Sequence, residues 1–157
     1  MTVLTVDPSP ARRSFAVVTL VLLALIVLTL GLRSGEMALG YRVFMIVVGA
    51  GAGYFAWAMW QATSQGLVLD EDELRESGGR VICALADIEK VERGTFAFKP
   101  SNGFLIRVKT RQGRVWAPGL WWRMGRVIGV GGATSASQAK ALADVLAARI
   151  SGAGRID

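Results

Sequence analysis

The sequence predicts a membrane α-helical hairpin joined to an α+β, mainly-β domain: a small antiparallel barrel capped by a C-terminal helix. Three observations predict it. Phe15–Leu32 and Val43–Trp60 are two stretches of 18 residues without a charge. After them, short apolar or alternating runs recur with turn signals about every eight to twelve residues, the spacing of a small barrel or sandwich. Last, Ala139, Leu142, Ala143, Leu146 and Ile150 form one apolar stripe at helical spacing.

Composition agrees once the chain is divided. Its 157 residues are 52% hydrophobic with a net charge of +6, and mean hydropathy is +0.42. That excludes a disordered chain, which is polar and highly charged. The two uncharged stretches hold 36 residues and none of the 30 charges, so the rest is charged like an ordinary globular protein. One cysteine, Cys83, excludes an intramolecular disulfide framework. The absence of histidine removes the commonest metal ligand and general base.

Residues 1–14, with prolines at 8 and 10, read as a loose leader. Each uncharged stretch would rise roughly 27 Å as a helix, close to the hydrocarbon thickness of a bilayer. A buried core helix would need a polar face, and neither stretch has one. A signal peptide is the other reading of the first stretch, but its run is long for one, no small-x-small cleavage site follows, and a second span comes next. The spans, 15–32 and 41–60 within a hairpin 15–60, are antiparallel neighbours because the connection Arg33–Arg42 is short. Aromatic residues gather at the ends of the second, with Tyr41 and Phe44 at one and Tyr54, Phe55, Trp57 and Trp60 at the other. Such rings favour the headgroup level. Gly49, Ala52, Gly53 and Ala56 make one small-residue face, suited to close packing on the first span or on another protein. Residues 61–157 hold 14 of the 18 basic residues, which places both termini on the cytoplasmic side.

Next in order come Leu67–Leu69, the acidic turn Asp70–Asp72, Glu73–Glu76 and a Ser-Gly-Gly turn. Strand-like Val81–Leu85, Ile88–Val91 and Thr95–Lys99 follow. Asn102–Gly103 is a hairpin cue. Phe104–Thr110 alternates, with Phe104, Ile106 and Val108 on one face. Gln112–Gly113 is expected to reverse the chain, with Arg114–Ala117 returning. Ser135 can N-cap the last helix with Gln138 three residues on, and Gly152 can stop it. The domain then spans 66–151, with 152–157 as a tail.

Strands after a membrane hairpin, the segment Leu85–Glu92 with Asp87, Ile88 and Val91, and a closing helix resemble the bacterial pleckstrin-homology-like domains. The resemblance covers roughly residues 66–151 plus the anchor arrangement. It implies a seven-stranded bent barrel capped by a helix, binding rather than catalysis, and the inner membrane of a bacterium. It carries over no set of ligand residues. The turn of the first hairpin is acidic here (Asp70, Glu71, Asp72), which argues against inositol-phosphate binding there, and Trp116–Gly132 is richer in Trp and Gly than the family.

No catalytic constellation is visible. Without histidine there is no Ser-His or Cys-His pair, and Cys83 sits in an apolar strand as a structural thiol. The acidic run 70–73 lacks the glycine and terminal glutamate of a calcium loop. Gly125, Gly129, Gly131 and Gly132 do not make a phosphate loop. No cofactor or metal is expected. The informative segment is Val115–Gly132, with Trp116, Trp121, Trp122, Arg123 and Arg126, because Trp and Arg are the residues enriched at binding hot spots. For Trp116, core filling and outward function stand close, with core filling ahead. Of the adjacent Trp121 and Trp122, one should face outward if the segment is extended. Lys109, Arg111 and Arg114 form a second basic set around the expected turn, either solvated or in contact with anionic lipid. Residues 61–157 are only mildly basic, with 14 basic and 10 acidic residues, and nucleic acid is not an expected partner. The expected function is a non-enzymatic interaction module that docks to or helps assemble or stabilise a membrane protein complex. The alternative is a lipid-headgroup-binding module. Expected partners are membrane lipids and either a membrane protein or a second copy of the chain.

Overall fold

The computed structural model describes residues 4–33, 35, 38–93 and 103–153. The chain forms two compact units. Pro10–Gln61 is one, and Met1–Ser9 with Ala62–Asp157 is the other.

The first unit is a pair of helices, α1 (Pro10–Arg33) and α2 (Leu39–Ala62). Proline suits the first position of α1 because its missing N–H would be unpaired there anyway. Both helices are long and apolar enough to cross a membrane, and only 11% of each apolar window is buried. Their backbone is self-satisfied, and the hydroxyls of Thr19 and Thr29 donate back to the carbonyls of Phe15 and Leu25 at 2.8 and 2.6 Å. The small-residue face of α2 meets α1 of the same chain. A Cβ on Gly49 would lie 2.6 Å from Leu28 Cγ and 3.1 Å from its backbone nitrogen, and one on Gly53 would lie 3.9 Å from the Ala24 methyl. Ala56 is buried, while Ala52 and Gly53 are half-buried. At one end the Arg42 Nε donates to the Gly31 carbonyl at 3.3 Å. At the other, the Arg13 guanidinium lies 3.8 Å over the Trp60 ring and donates to the Trp60 carbonyl at 3.2 Å. Gly49→Val is expected to weaken this packing by about 1–3 kcal/mol through overpacking. Gly51→Val, whose Cβ meets nothing within 4 Å, should change it little. Unfolding of the full chain in mild detergent, followed by circular dichroism, compares the two.

Among the described residues, the second unit contains seven strands and one α-helix. The strands are β1 (Leu4–Val6), β2 (Leu67–Leu69), β3 (Glu73–Glu76), β4 (Val81–Ala84), β5 (Ile88–Glu92), β6 (Phe104–Ala117) and β7 (Trp121–Val130), and the helix is α3 (Ala136–Ala153). Among the described residues they form two antiparallel sheets, ordered β1-β2-β3-β4 and β5-β6-β7, and not the closed barrel expected. The break falls at Leu85–Asp87, a single 3-10 turn between β4 and β5. The expected strand Thr95–Lys99 and the turn residues before Gly103 lie outside the described residues, as does the tail beyond Ala153.

The leader is corrected most. Residues 4–6 pair with β2 in the register Leu4↔Leu69, Thr5↔Val68 and Val6↔Leu67. Val6 is 1% exposed and belongs to the core. Pro8 bridges to Thr134, and Ser9 N donates to the Ala133 carbonyl at 2.8 Å. Val3–Val6 alternates too briefly to read as a strand alone, and its partner lies beyond the two helices.

The core is built as the alternation predicts. Leu67, Leu69, Leu74, Phe104, Ile106 and Val108 point inward and meet Ala139, Leu142, Ala143 and Leu146 of α3. Gln138 N donates to the Ser135 hydroxyl at 3.3 Å, the expected N-cap. Arg149 donates to the carbonyls of Asp70 and Glu71 at 3.1 and 3.0 Å. Arg93 pairs with Asp144 and donates to the Ala143 carbonyl. These two arginines hold α3 at separate points along its length.

Candidate functional site

The far half of the β6–β7 hairpin carries most of the residues singled out above. Gln112–Gly113 does not reverse the chain. β6 runs on through it with register shifts on both sides of Gln112, so the glycine marks a bulge. The reversal comes at Ala117-Pro118-Gly119-Leu120, where Leu120 N donates to the Ala117 carbonyl at 3.1 Å. Gly119 has φ +79, the left-handed value that this Pro-Gly turn requires. Lys109, Arg111 and Arg114 therefore lie along one strand and not around a turn.

Beyond the bulge, Val115 pairs with Arg123, Trp116 with Trp122 and Ala117 with Trp121. Paired residues share a sheet face and successive residues alternate. One face accordingly carries Val115, Ala117, Trp121 and Arg123, and it is turned inward. Trp121 is 1% exposed, and its indole N–H donates to a Glu76 carboxylate oxygen at 2.6 Å. Its expected role as a partner contact is corrected to core filling around a buried polar pair. Arg123 is also taken up internally. It donates to the Ile82 carbonyl and the Gln112 side-chain oxygen, each at 2.8 Å, and to the Gly113 carbonyl at 3.0 Å. It thereby ties β4 of one sheet to the β6 bulge of the other.

The same network continues to Asp87. Its carboxylate accepts from the Thr110 hydroxyl at 2.6 Å, the Thr110 N–H at 3.0 Å and the Gln112 amide at 2.9 Å. Lys109 Nζ donates beside it to the Ala86 carbonyl at 2.9 Å, so Lys109 is committed to the fold. These bonds, led by the Thr110 hydroxyl, hold the Asp87 carboxyl below its ordinary range. A depressed carboxyl stabilises the fold above its unfolded value and loses that contribution as pH falls through the folded one. Wild type should lose stability below about pH 4, and Asp87→Asn should flatten that limb. Acid unfolding followed by tryptophan fluorescence measures it.

The other face is outward. Arg114, Trp116, Trp122 and Met124, together with Val115 and Arg123, line an open groove of about 470 Å³. Trp116 and Met124 are each 58% exposed. Trp122 is half-buried because its ring lies on Gly129, where a Cβ would overlap the indole. Arg111, Arg114 and Arg126 are exposed, and none has an ion-pair partner among the described residues. Reasoning on the sequence passed over Met124 and put core filling ahead for Trp116, which is 58% exposed. The Pro118–Gly119 turn was the signal that would have found them, because it sets Trp116 opposite Trp122.

No known protein family, curated protein or solved structure matches the chain. What the site can do therefore rests on its own chemistry. Among the described residues no group of three or more His, Cys, Asp or Glu could hold a metal. The Cys83 thiol is buried in β4 and pushed up to about 12, chiefly by that burial. A thiol so protonated is a poor nucleophile. The outward face offers apolar contact and positive charge, which is the chemistry of binding.

Proposed function

We propose that the chain is a non-catalytic, membrane-anchored interaction module of the pleckstrin-homology-like type. In this reading α1 and α2 lie in a bacterial inner membrane. The sheet domain works at the cytoplasmic surface, where it docks to or helps assemble or stabilise a membrane protein complex. The observation that carries the reading is the outward β6–β7 face, with Trp116 and Met124 exposed beside Arg114 in one groove. Two antiparallel sheets with a helix closing the sequence of elements support the family reading. Pairing of β1 with β2 supports a shared side for the two ends of the hairpin, since strands of one sheet cannot be parted by a bilayer. A second reading, contact with lipid headgroups, is favoured by Arg111, Arg114 and Arg126, which have no ion-pair partner among the described residues.

A photo-crosslinking residue at Met124, in the full chain and in native membranes, tests the module. A light-dependent adduct with a membrane component is expected. The same residue at the exposed Glu89 of β5 should give none. Equal yields at both positions, or none at Met124, would overturn the reading.

A further inference from the structure

We propose that the β6–β7 face is a docking surface for the anionic headgroup layer of the membrane in which the chain is anchored, with Arg111, Arg114 and Arg126 meeting lipid phosphates and Trp116 and Met124 entering the interface. The proposal rests on the anchored reading above and commits its working face to one partner.

Charge selects the occupant first. Three exposed guanidiniums lie on this hairpin, and no carboxylate among the described residues pairs with them. Guanidinium is suited to phosphate because its planar donors match the oxyanion geometry. The apolar content selects next. A large aromatic ring and a thioether, both more than half exposed, sit poorly in bulk water, whereas tryptophan favours the headgroup level. Tethering completes the argument. Only residues 7–9 separate β1 from α1, and only residues 63–66 separate α2 from β2. With both helices in a bilayer, its surface is always within reach of a domain on so short a tether. Docking is then intramolecular, and weak contacts suffice at the high effective concentration that a short linker supplies.

The experiment places the full chain in nanodiscs of phosphatidylcholine alone and of phosphatidylcholine with phosphatidylglycerol. A nitroxide is attached at Met124→Cys, and Cys83, buried in the core, stays unlabelled. Accessibility to oxygen and to a soluble nickel complex reports the depth of the label. The expected result is an interfacial label in the anionic discs only, returned to water at about 0.5 M salt, where charges are screened within a few ångströms. Each arginine reversed to glutamate should weaken docking roughly fivefold or more. The Arg111→Glu, Arg114→Glu, Arg126→Glu variant should abolish it, with an unchanged thermal unfolding midpoint as proof of folding. A label equally aqueous in both discs overturns the proposal. So does equal insertion in both discs, or insertion that survives the triple reversal. If the Met124 crosslinker in native membranes captures a protein while the discs stay undocked, the module stands and the lipid proposal falls.

Discussion

Trp121→Ala is expected to destabilise the sheet domain by about 3–5 kcal/mol, the range for removing a large buried aromatic. In a domain of this size that lowers the unfolding midpoint on the order of 12 °C or more. Two terms combine. The first is the cavity left where a ring only 1% exposed now packs with Leu120, Ile128 and the rest of the core. The second is the Glu76 carboxylate, which loses the indole donor at 2.6 Å and stays buried, with Arg80 Nε at 3.7 Å as its nearest cation. Trp121→Phe separates them. It keeps most of the ring volume and removes the hydrogen bond, so it should cost about 1–3 kcal/mol. Trp116→Ala, on the opposite face of the hairpin, should leave the midpoint nearly unchanged. Thermal unfolding of the full chain in detergent, followed by near-ultraviolet circular dichroism, ranks the three. A Trp121→Ala midpoint equal to that of Trp116→Ala would contradict the inward assignment.

Val6→Asp is expected to cost about 3 kcal/mol or more, because it places an unpaired charge in the core. Val6 is as buried as Leu67 of β2, although it belongs to a three-residue strand. Thr5→Asp, at an exposed position of the same strand, is the control and should change stability by less than about 1 kcal/mol. If residues 4–6 were a loose leader, the two substitutions would behave alike. Limited proteolysis of both variants in the full chain distinguishes these outcomes, with cleavage between residues 62 and 92 reporting the opened sheet.

Features set by local pattern were legible in the sequence. The uncharged runs announce α1 and α2, the Ser135 cap and the stripe from Ala139 to Leu146 announce α3, and the alternation Phe104-Ile106-Val108 announces the inner face of β6. The small-residue face of α2 was readable too, since only Gly49 could meet Leu28 so closely. Features that depend on distant partners were not. β1 is three residues long and finds its partner only past both helices. Gln112–Gly113 carries a turn signal, but Asp87 and Arg123 grip Gln112 from two sides and keep the strand extended. Arg123 and Lys109 were grouped with the surface by charge alone, and carbonyls of Ile82 and Ala86 claim them. The candidate face thus kept Arg111, Arg114, Arg126 and Trp122, lost Trp121, Arg123 and Lys109 to the fold, and gained Trp116 and Met124.

The position of β1 bears on how the chain is made. Residues 4–6 leave the ribosome before both helices, yet their partner strand follows 60 residues later. In a bilayer, that partner is within reach only after both helices have been threaded and the chain has come back to its starting side. Were the first helix to insert with its leading end across the membrane, the sheet would lack its first strand and Val6 its place in the core. With the helices in a membrane as proposed, a completed four-stranded sheet would be a record of correct insertion.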